Sequence, residues 1–250
     1  MHLVNPLYMT IQASSFGSPL TIRPRALAPH TRFCIYLRWP GGWRSEALQG
    51  TPVIMQVQIR KLEGSWDLGY ALHKHTLSSV YLGDDEYGHP RFDTTRSEPG
   101  EALYQLKYRA DWNQVQALAA QVQQSLLPLF GKIGLIIPMP ASTVRARQPV
   151  NEIANELGRL TKTPVFDDII VKAPAPEGSP QLKNLHGREA KDAALEGRFS
   201  INPSITNEGR WSALVLDDLF DTGATMDAVC KTLRTYKKIN HIYAASITWK

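Results

Sequence analysis

The feature that most constrains the fold is an alternation of short apolar strands and amphipathic helices in the second half of the chain. From residue 111, apolar residues recur at helical spacing until Pro128 ends the run. An apolar stretch at 133–137 is typical of a buried strand, and a second helical pattern begins at Pro149. The same order returns with a strand at 211–216, a helix at 226–236 and a strand at 242–247. This alternation predicts an α/β fold, with a mostly parallel sheet flanked by helices and ligand sites at the carboxyl ends of the strands.

The net charge of +5 does not indicate a nucleic-acid-binding surface, because it is concentrated in residues 1–54. That segment holds five of the 28 Lys and Arg side chains and one of the 23 acidic ones. The rest of the chain is therefore nearly neutral, and a nucleic-acid partner is not expected.

The two cysteines, Cys34 and Cys230, form neither a disulfide framework nor a metal-spaced pair. This usage is typical of the reducing cytoplasm, which is the expected location. No apolar run reaches the roughly 18 residues needed to span a bilayer, and no charged region followed by an apolar one begins the chain. Neither a membrane partner nor a signal peptide is expected.

The composition changes at Met55, where an alternating pattern over residues 55–60 predicts a strand. Residues 1–54, rich in Pro and Gly, are either an irregular basic extension or an upstream mis-start. Residues 55–100 are predicted to form a small β and loop region that serves as a hood over the acceptor, and 101–250 the main domain. Within the latter, the polar segment 174–194 is expected to be a mobile loop.

The strongest functional signal is the aspartate loop, which follows the apolar strand at 211–216. Its residues are Asp217, Asp218, Leu219, Phe220, Asp221, Thr222, Gly223, Ala224 and Thr225. The segment Thr222–Thr225 stands at a predicted helix N-terminus, where free N–H groups and the helix dipole favour a phosphate. Carboxylates at a strand end can accept hydrogen bonds from sugar hydroxyls or meet a hydrated Mg²⁺. Asp and Thr are also common helix caps, but three acids with Thr-Gly-x-Thr favour a ligand that carries a diol and a phosphate.

A second segment follows the strand at 133–137 and contains Pro140, Ala141 and Ser142, then Arg145 and Arg147. The backbone amides of such a loop, with a nearby guanidinium, can neutralise a diphosphate. The alternative is an ordinary turn before a solvated helix start.

These segments resemble the ligand loops of type I phosphoribosyltransferases, and the wider pattern is similar to the ComF-like branch of that family. The resemblance covers about residues 100–250. It implies that Asp217 and Asp218 bind the ribose hydroxyls of phosphoribosyl pyrophosphate, and meet the metal indirectly, through the ligand or water. It also implies that Thr222–Thr225 bind the 5-phosphate, that 138–143 with Arg145 or Arg147 bind the diphosphate, and that Asp221 is a candidate proton acceptor.

The segment from Gln181 to Glu189 resembles the flexible hood of the same family. By that resemblance Lys183 or Arg188 would meet charge that develops on the leaving group, although a solvated loop is the alternative. One departure is that ComF-like proteins usually begin with a cysteine-rich zinc module, which this chain lacks.

The resemblance implies an enzyme that uses phosphoribosyl pyrophosphate and Mg²⁺ to place ribose 5-phosphate on a nitrogen of an unknown base or amine. The alternative is a non-catalytic protein on the same fold, which senses phosphoribosyl pyrophosphate or assists DNA handling. The oligomeric state stays open, with a homodimer as one alternative.

Overall fold

A computed structural model describes residues 54–141, 145–176, 178, 180, 182–185 and 187–250, together with the backbone of 34–39 and 42–47. The chain divides into two compact units, Met1–Val53 and Ile54–Lys250. In the first unit, β1 (Cys34–Trp39) and β2 (Gly42–Ala47) form an antiparallel hairpin. This division into two units does not test the three predicted domains, which stay a prediction.

The second unit contains nine strands and five α-helices in its described residues. In chain order they are β3 (Arg60–Lys61), β4 (Leu68–Lys74), β5 (Thr76–Asp84), β6 (Pro90–Arg96), α1 (Glu98–Tyr108), α2 (Gln114–Ser125), β7 (Leu135–Pro138), α3 (Pro149–Thr161), β8 (Ile170–Lys172), α4 (Arg188–Leu195), β9 (Phe199–Ile201), β10 (Trp211–Phe220), α5 (Ala224–Arg234) and β11 (Ile239–Trp249).

The central sheet has the order β3-β4-β11-β10-β7, and all its neighbouring strands are parallel except the short edge strand β3. Successive side chains of β10 point to opposite faces, as the strand period requires. Ala213 and Val215 pack with α5 on one face, and Leu214 and Leu216 with α1, α2 and α3 on the other. The predicted α/β class, with a mostly parallel sheet flanked by helices, is confirmed.

Two local predictions are wrong, and one helix was not predicted. Residues 55–59 form no strand, because Met55 is buried and its N–H donates to the side chain of Gln121 rather than to a neighbouring strand. The predicted mobile loop contains α4, which packs against α5. Arg188 pairs with Asp227 of α5, and Lys191 pairs with Asp221 in the turn before that helix. Helix α1 was not predicted at all, although Ser97 accepts a hydrogen bond from the N–H of Gly100 as an N-cap does.

In the described parts of the chain, no helix is both long and apolar enough to cross a membrane.

Candidate functional site

Asp217 and Asp218 belong to β10 and not to the loop that the sequence pattern predicted. The strand is prolonged because β11 runs beside it to the end, so that Asp217 pairs with Ser246 and Phe220 with Trp249. On the other side, β7 ends at Pro138, opposite Leu216. The two acids therefore extend beyond their neighbour strand and border a crevice at the carboxyl edge of the sheet, where ligands bind in α/β folds.

The helix N-terminus after β10 is built around Gly223. Its φ of +80° is a left-handed conformation, and an added Cβ would lie 2.7 Å from Cζ of Phe220. Only glycine adopts this positive φ and leaves this space beside Phe220 without strain. Helix α5 begins at Ala224, whose N–H lies 3.4 Å from Oγ1 of Thr222. Residues of this turn and of the first turn of α5 line a cavity at this edge, and a helix N-terminus favours an anion.

Two cavities lie beside this junction and share Asp217 and Thr225. The smaller, about 150 Å³, is lined by the junction itself, including Asp221 to Met226 and Lys191 from α4. The larger, about 260 Å³, is lined by both acids and by residues of the loop after β7. The structure thus brings the aspartate loop and the second segment to one site. In the larger cavity the lining from the second segment includes Met139, Pro140, Ala141 and Arg145.

The two adjacent carboxylates have different surroundings. Oδ1 of Asp217 accepts the N–H of Asp218 at 2.8 Å. Burial and the charge of Asp218 raise the pKa of Asp217 to about 7, against the opposing effects of that hydrogen bond and of Lys107 and Lys172. Nζ of Lys107 donates to Oδ2 of Asp218 at 2.8 Å, and both side chains are largely buried, with 23% and 18% of their surface exposed. The positive charge of Lys107 offsets the repulsion between the two neighbouring carboxylates.

The backbone of Asp218 is also fixed. Oγ1 of Thr248 donates to its carbonyl oxygen at 2.9 Å, and Nδ1 of His75 lies 3.1 Å from the same hydroxyl. Because the hydroxyl has one proton and uses it on the carbonyl, Nδ1 of His75 is the donor in this chain. His75 is therefore a positioning group behind the site, and its pKa is lowered by burial and by nearby cations, among them Lys107.

Asp221 lies at the smaller cavity and pairs with Nζ of Lys191 at 2.6 Å. The hydrogen bond from Lys191 lowers the pKa of Asp221 below its usual value. This carboxylate is thus ionised and already partnered, which makes it a weak proton acceptor and a better source of negative potential.

Two arginines that were predicted as site residues, Arg147 and Arg188, lie outside the linings of both cavities. The guanidinium of Arg188 pairs with Asp227 at 3.0 Å and with Asp192 at 3.4 Å. Arg147 forms a bidentate pair with Glu152 and stacks on the ring of Trp112, 3.9 Å from its centroid. Arg188 thus links α4 to α5, and Arg147 is engaged at the start of α3. Ser142 and the side chain of Lys183 lie outside the described residues.

Lys107, Lys172 and Lys191 are the basic groups that sequence reasoning missed as site residues. Lys107 lies in α1, a helix that the sequence patterns did not predict, and Lys191 lies in the segment that was interpreted as a loop. No sequence pattern indicated Lys172, which lies near Asp217 and belongs to β8, a short strand paired antiparallel with β9.

These features define an α/β protein with a candidate ligand site at the carboxyl edge of its sheet. No protein-family model matches the chain, and no curated protein matches its sequence. Among solved structures, adenine phosphoribosyltransferase from Saccharomyces cerevisiae, complexed with an imino-altritol bisphosphate and adenine, is similar at 12% identity and a TM-score of 0.41, over 70% of this chain and 85% of the other.

Two further structures are similar at comparable levels. Adenine phosphoribosyltransferase from Trypanosoma brucei, in complex with AMP, pyrophosphate and ribose-5-phosphate, has 10% identity and a TM-score of 0.37, over 78% of this chain and 87% of the other. Hypoxanthine phosphoribosyltransferase from Staphylococcus aureus has 12% identity and a TM-score of 0.34, over 56% of this chain and 65% of the other.

Proposed function

We propose that this protein binds phosphoribosyl pyrophosphate and transfers ribose 5-phosphate to a nitrogen acceptor. The observation that carries the proposal is that two cavities share Asp217 and Thr225 in their linings. One cavity offers an anion-binding helix N-terminus, and the other offers two carboxylates opposite a loop with Arg145. A ligand with a phosphate, a diol and a second anionic group has a partner for each of these three features: the helix N-terminus, the pair of carboxylates and the loop with Arg145.

In this proposal the N–H groups of Thr222, Gly223, Ala224 and Thr225 bind the 5-phosphate, and the ribose hydroxyls donate to Asp217 and Asp218. Pro140 and Ala141, with Arg145, receive the diphosphate. Lys107 takes part as a second cation of the larger cavity. The roles that the resemblance implies for four other residues remain proposals: Ser142, Lys183, Arg147 and Arg188. Arg147 and Arg188 would first have to leave their present ion pairs.

Asp221 is proposed to favour the positive charge that develops at the anomeric carbon when the bond to diphosphate weakens. Its ion pair with Lys191 and its lowered pKa support an electrostatic role over proton acceptance. Loss of the diphosphate moves negative charge towards the loop after β7, where Arg145 lies.

A Mg²⁺ ion fits this site only as an indirect partner. Within the described residues, no group of three or more His, Cys, Asp or Glu side chains is placed to hold a metal. Asp217 and Asp218 provide oxygen ligands of the kind that Mg²⁺ prefers, but Oδ2 of Asp218 is occupied by Lys107. We infer that the two acids would meet the ion through water or ligand oxygens, and the ion would neutralise the diphosphate. The expected cytoplasmic location belongs to the same proposal.

The proposal is tested by calorimetric titration of the protein with phosphoribosyl pyrophosphate, with and without Mg²⁺. Asp217→Asn combined with Asp218→Asn should weaken binding by about 100-fold or more, because two charge-assisted hydrogen bonds are worth roughly 1.5–3 kcal/mol each. Asp168→Asn, a change of an exposed acid outside both cavity linings, is the control. Normal binding by the double variant would contradict the ribose assignment.

A screen of bases and amines for diphosphate release then separates the enzyme from a non-catalytic binding protein. Release with one acceptor would identify the substrate, and Asp221→Asn should slow that release with little change in binding. Tight binding without release from any acceptor would favour the sensing alternative.

A further inference from the structure

The smaller cavity beside the aspartate loop has an unbalanced set of charges. Among the described residues that line it, Asp217 and Asp221 are acidic and Lys191 is the only basic one. The helix N-terminus that borders the cavity is equivalent to about half a positive charge. A phosphate monoester carries roughly 1.5 to 2 negative charges at pH 7, so the helix end alone does not offset the phosphate and two nearby acids. An anion site in this cavity therefore depends on Lys191.

The packing of α4 places Lys191 at this cavity. Arg188, Lys191 and Leu195 follow one another at spacings of three and four residues, which puts them on one face of the helix. Leu195 is buried in the core, and Arg188 pairs with Asp227 of α5. The same face thus brings Lys191 to the cavity at the start of α5, and only 14% of its side chain is exposed.

The ammonium group of Lys191 has hydrogen-bonding capacity left. It can donate three hydrogen bonds. In the described part of the chain it donates one, to Oδ2 of Asp221 at 2.6 Å. A largely buried charge is costly unless it is compensated and its N–H groups have partners. The two remaining N–H groups are available to a phosphate oxygen in the cavity that Lys191 lines.

We propose that Lys191 binds the 5-phosphate directly and bridges it to Asp221. This inference rests on the proposed function, and it adds a residue of α4 to the phosphate site at the start of α5. When the phosphate is bound, the ammonium group divides its hydrogen bonds between the phosphate and the carboxylate. More of the negative potential of Asp221 is then left for the anomeric carbon. Lys191 thus makes the 5-phosphate a condition of the reaction and determines specificity for phosphorylated ribose.

The direct contact is tested by calorimetric titration of the full chain with ribose 5-phosphate and with phosphoribosyl pyrophosphate. Lys191→Met should weaken the binding of both about 10- to 100-fold, the effect of losing one charge-assisted hydrogen bond. Lys231→Met is the matched control and should bind like the wild type. Lys231 also pairs with a carboxylate, that of Asp227, but it lies outside both cavity linings.

A double variant distinguishes a direct contact from simple neutralisation of Asp221. Lys191→Met leaves the carboxylate of Asp221 without its partner, and that charge would itself repel a phosphate. Lys191→Met combined with Asp221→Asn removes this repulsion. The double variant should bind ribose 5-phosphate better than Lys191→Met, but roughly tenfold more weakly than Asp221→Asn alone. Equal affinities of the double variant and Asp221→Asn would overturn the direct contact.

Thermal unfolding followed by circular dichroism checks that each variant is folded. If Lys191→Met unfolds, Lys191→Gln serves the same comparison, because it removes the charge and keeps a hydrogen-bond donor for Asp221. Wild-type affinity of the folded variant for ribose 5-phosphate, in a protein that binds phosphoribosyl pyrophosphate, would refute the role of Lys191 and leave the proposed function intact. A wild type that binds neither ligand would contradict the proposed function, and this inference with it.

Discussion

At the scale of single residues, two adjacent acids differ through their neighbours. Asp217 is desolvated and its pKa is raised to about 7, whereas Asp218 is paired with Lys107. Identical side chains at consecutive positions thus differ in their burial and in their hydrogen-bond partners. The difference comes from α1, which brings Lys107 to the end of β10.

Lys107→Met should weaken the binding of phosphoribosyl pyrophosphate about tenfold, because the cavity loses one positive charge and an anionic ligand meets two uncompensated acids. Calorimetric titration measures the effect, and Lys107→Arg should restore most of the affinity by restoring the charge. Lys132→Met, at an exposed position, is the control. Equal affinities of Lys107→Met and the wild type would exclude Lys107 from the site.

Asp227→Asn should lower the free energy of unfolding by about 1.5–3 kcal/mol at neutral pH, because a buried carboxylate loses charge-assisted contacts. Asp227 accepts the N–H of Ser65 at 2.7 Å and pairs with Arg188 and Lys231. Its pKa is lowered overall, since these contacts outweigh the burial that raises it. The stabilisation is therefore present above the unfolded-state pKa and is lost as pH falls through the lowered one.

Urea unfolding of the wild type and Asp227→Asn at several pH values checks this prediction. The difference between them should be full at pH 7 and should shrink below about pH 4, where the unfolded chain begins to bind the proton. A difference that stays constant down to pH 2 would mean that the ionised carboxylate is not the source of the stability.

At the scale of elements, unequal strand lengths create the site. β7 ends at Pro138 while β10 continues to Phe220, and the step between them leaves the two acids beside a crevice. Helix α5 then starts within a short turn, so that its N-terminus lies at the same edge. The strand, turn and helix act as one unit, and the turn depends on Gly223.

Gly223→Ala should destabilise the protein by about 1–2 kcal/mol or more, because alanine disfavours positive φ and the added Cβ must displace Phe220. It should also remove phosphate binding, since the amides of the turn would move. Thermal unfolding and titration with ribose 5-phosphate measure the two effects. Gly197→Ala is the control, with a φ of +66° and no heavy atom within 4 Å of its added Cβ. If both variants lose the same stability, Phe220 does not constrain the turn.

At the scale of the whole molecule, the second unit, Ile54–Lys250, has its own core on both faces of the central sheet. Met55 is part of that core, and its N–H donates to Gln121 at 2.7 Å. The start of this unit is thus packed, in agreement with the change in composition that the sequence shows at the same place.

Residues 54–250 behind an initiating methionine should therefore fold cooperatively and bind phosphoribosyl pyrophosphate as tightly as the full chain. Retaining Ile54 preserves the amide of Met55 for its contact with Gln121. Chemical unfolding followed by circular dichroism, together with calorimetric titration, makes the comparison. Loss of a cooperative transition in the shorter chain would show that residues 1–53 stabilise the second unit.

The sequence by itself determined the α/β class, the helices near residues 114–125 and 149–161, and the chemical character of the aspartate loop. These follow from local patterns, because helical periodicity, buried strands and the Thr-Gly turn involve residues close in sequence. Only the tertiary structure decided which cations serve the acids. Lys107 and Asp218 are 111 positions apart in sequence, and their contact depends on how α1 packs on the sheet. Arg147 and Arg188 were predicted as ligand-binding residues because they lie close in sequence to the motifs. In the structure, Arg147 pairs with Glu152 of α3, and Arg188 pairs with Asp192 of α4 and Asp227 of α5.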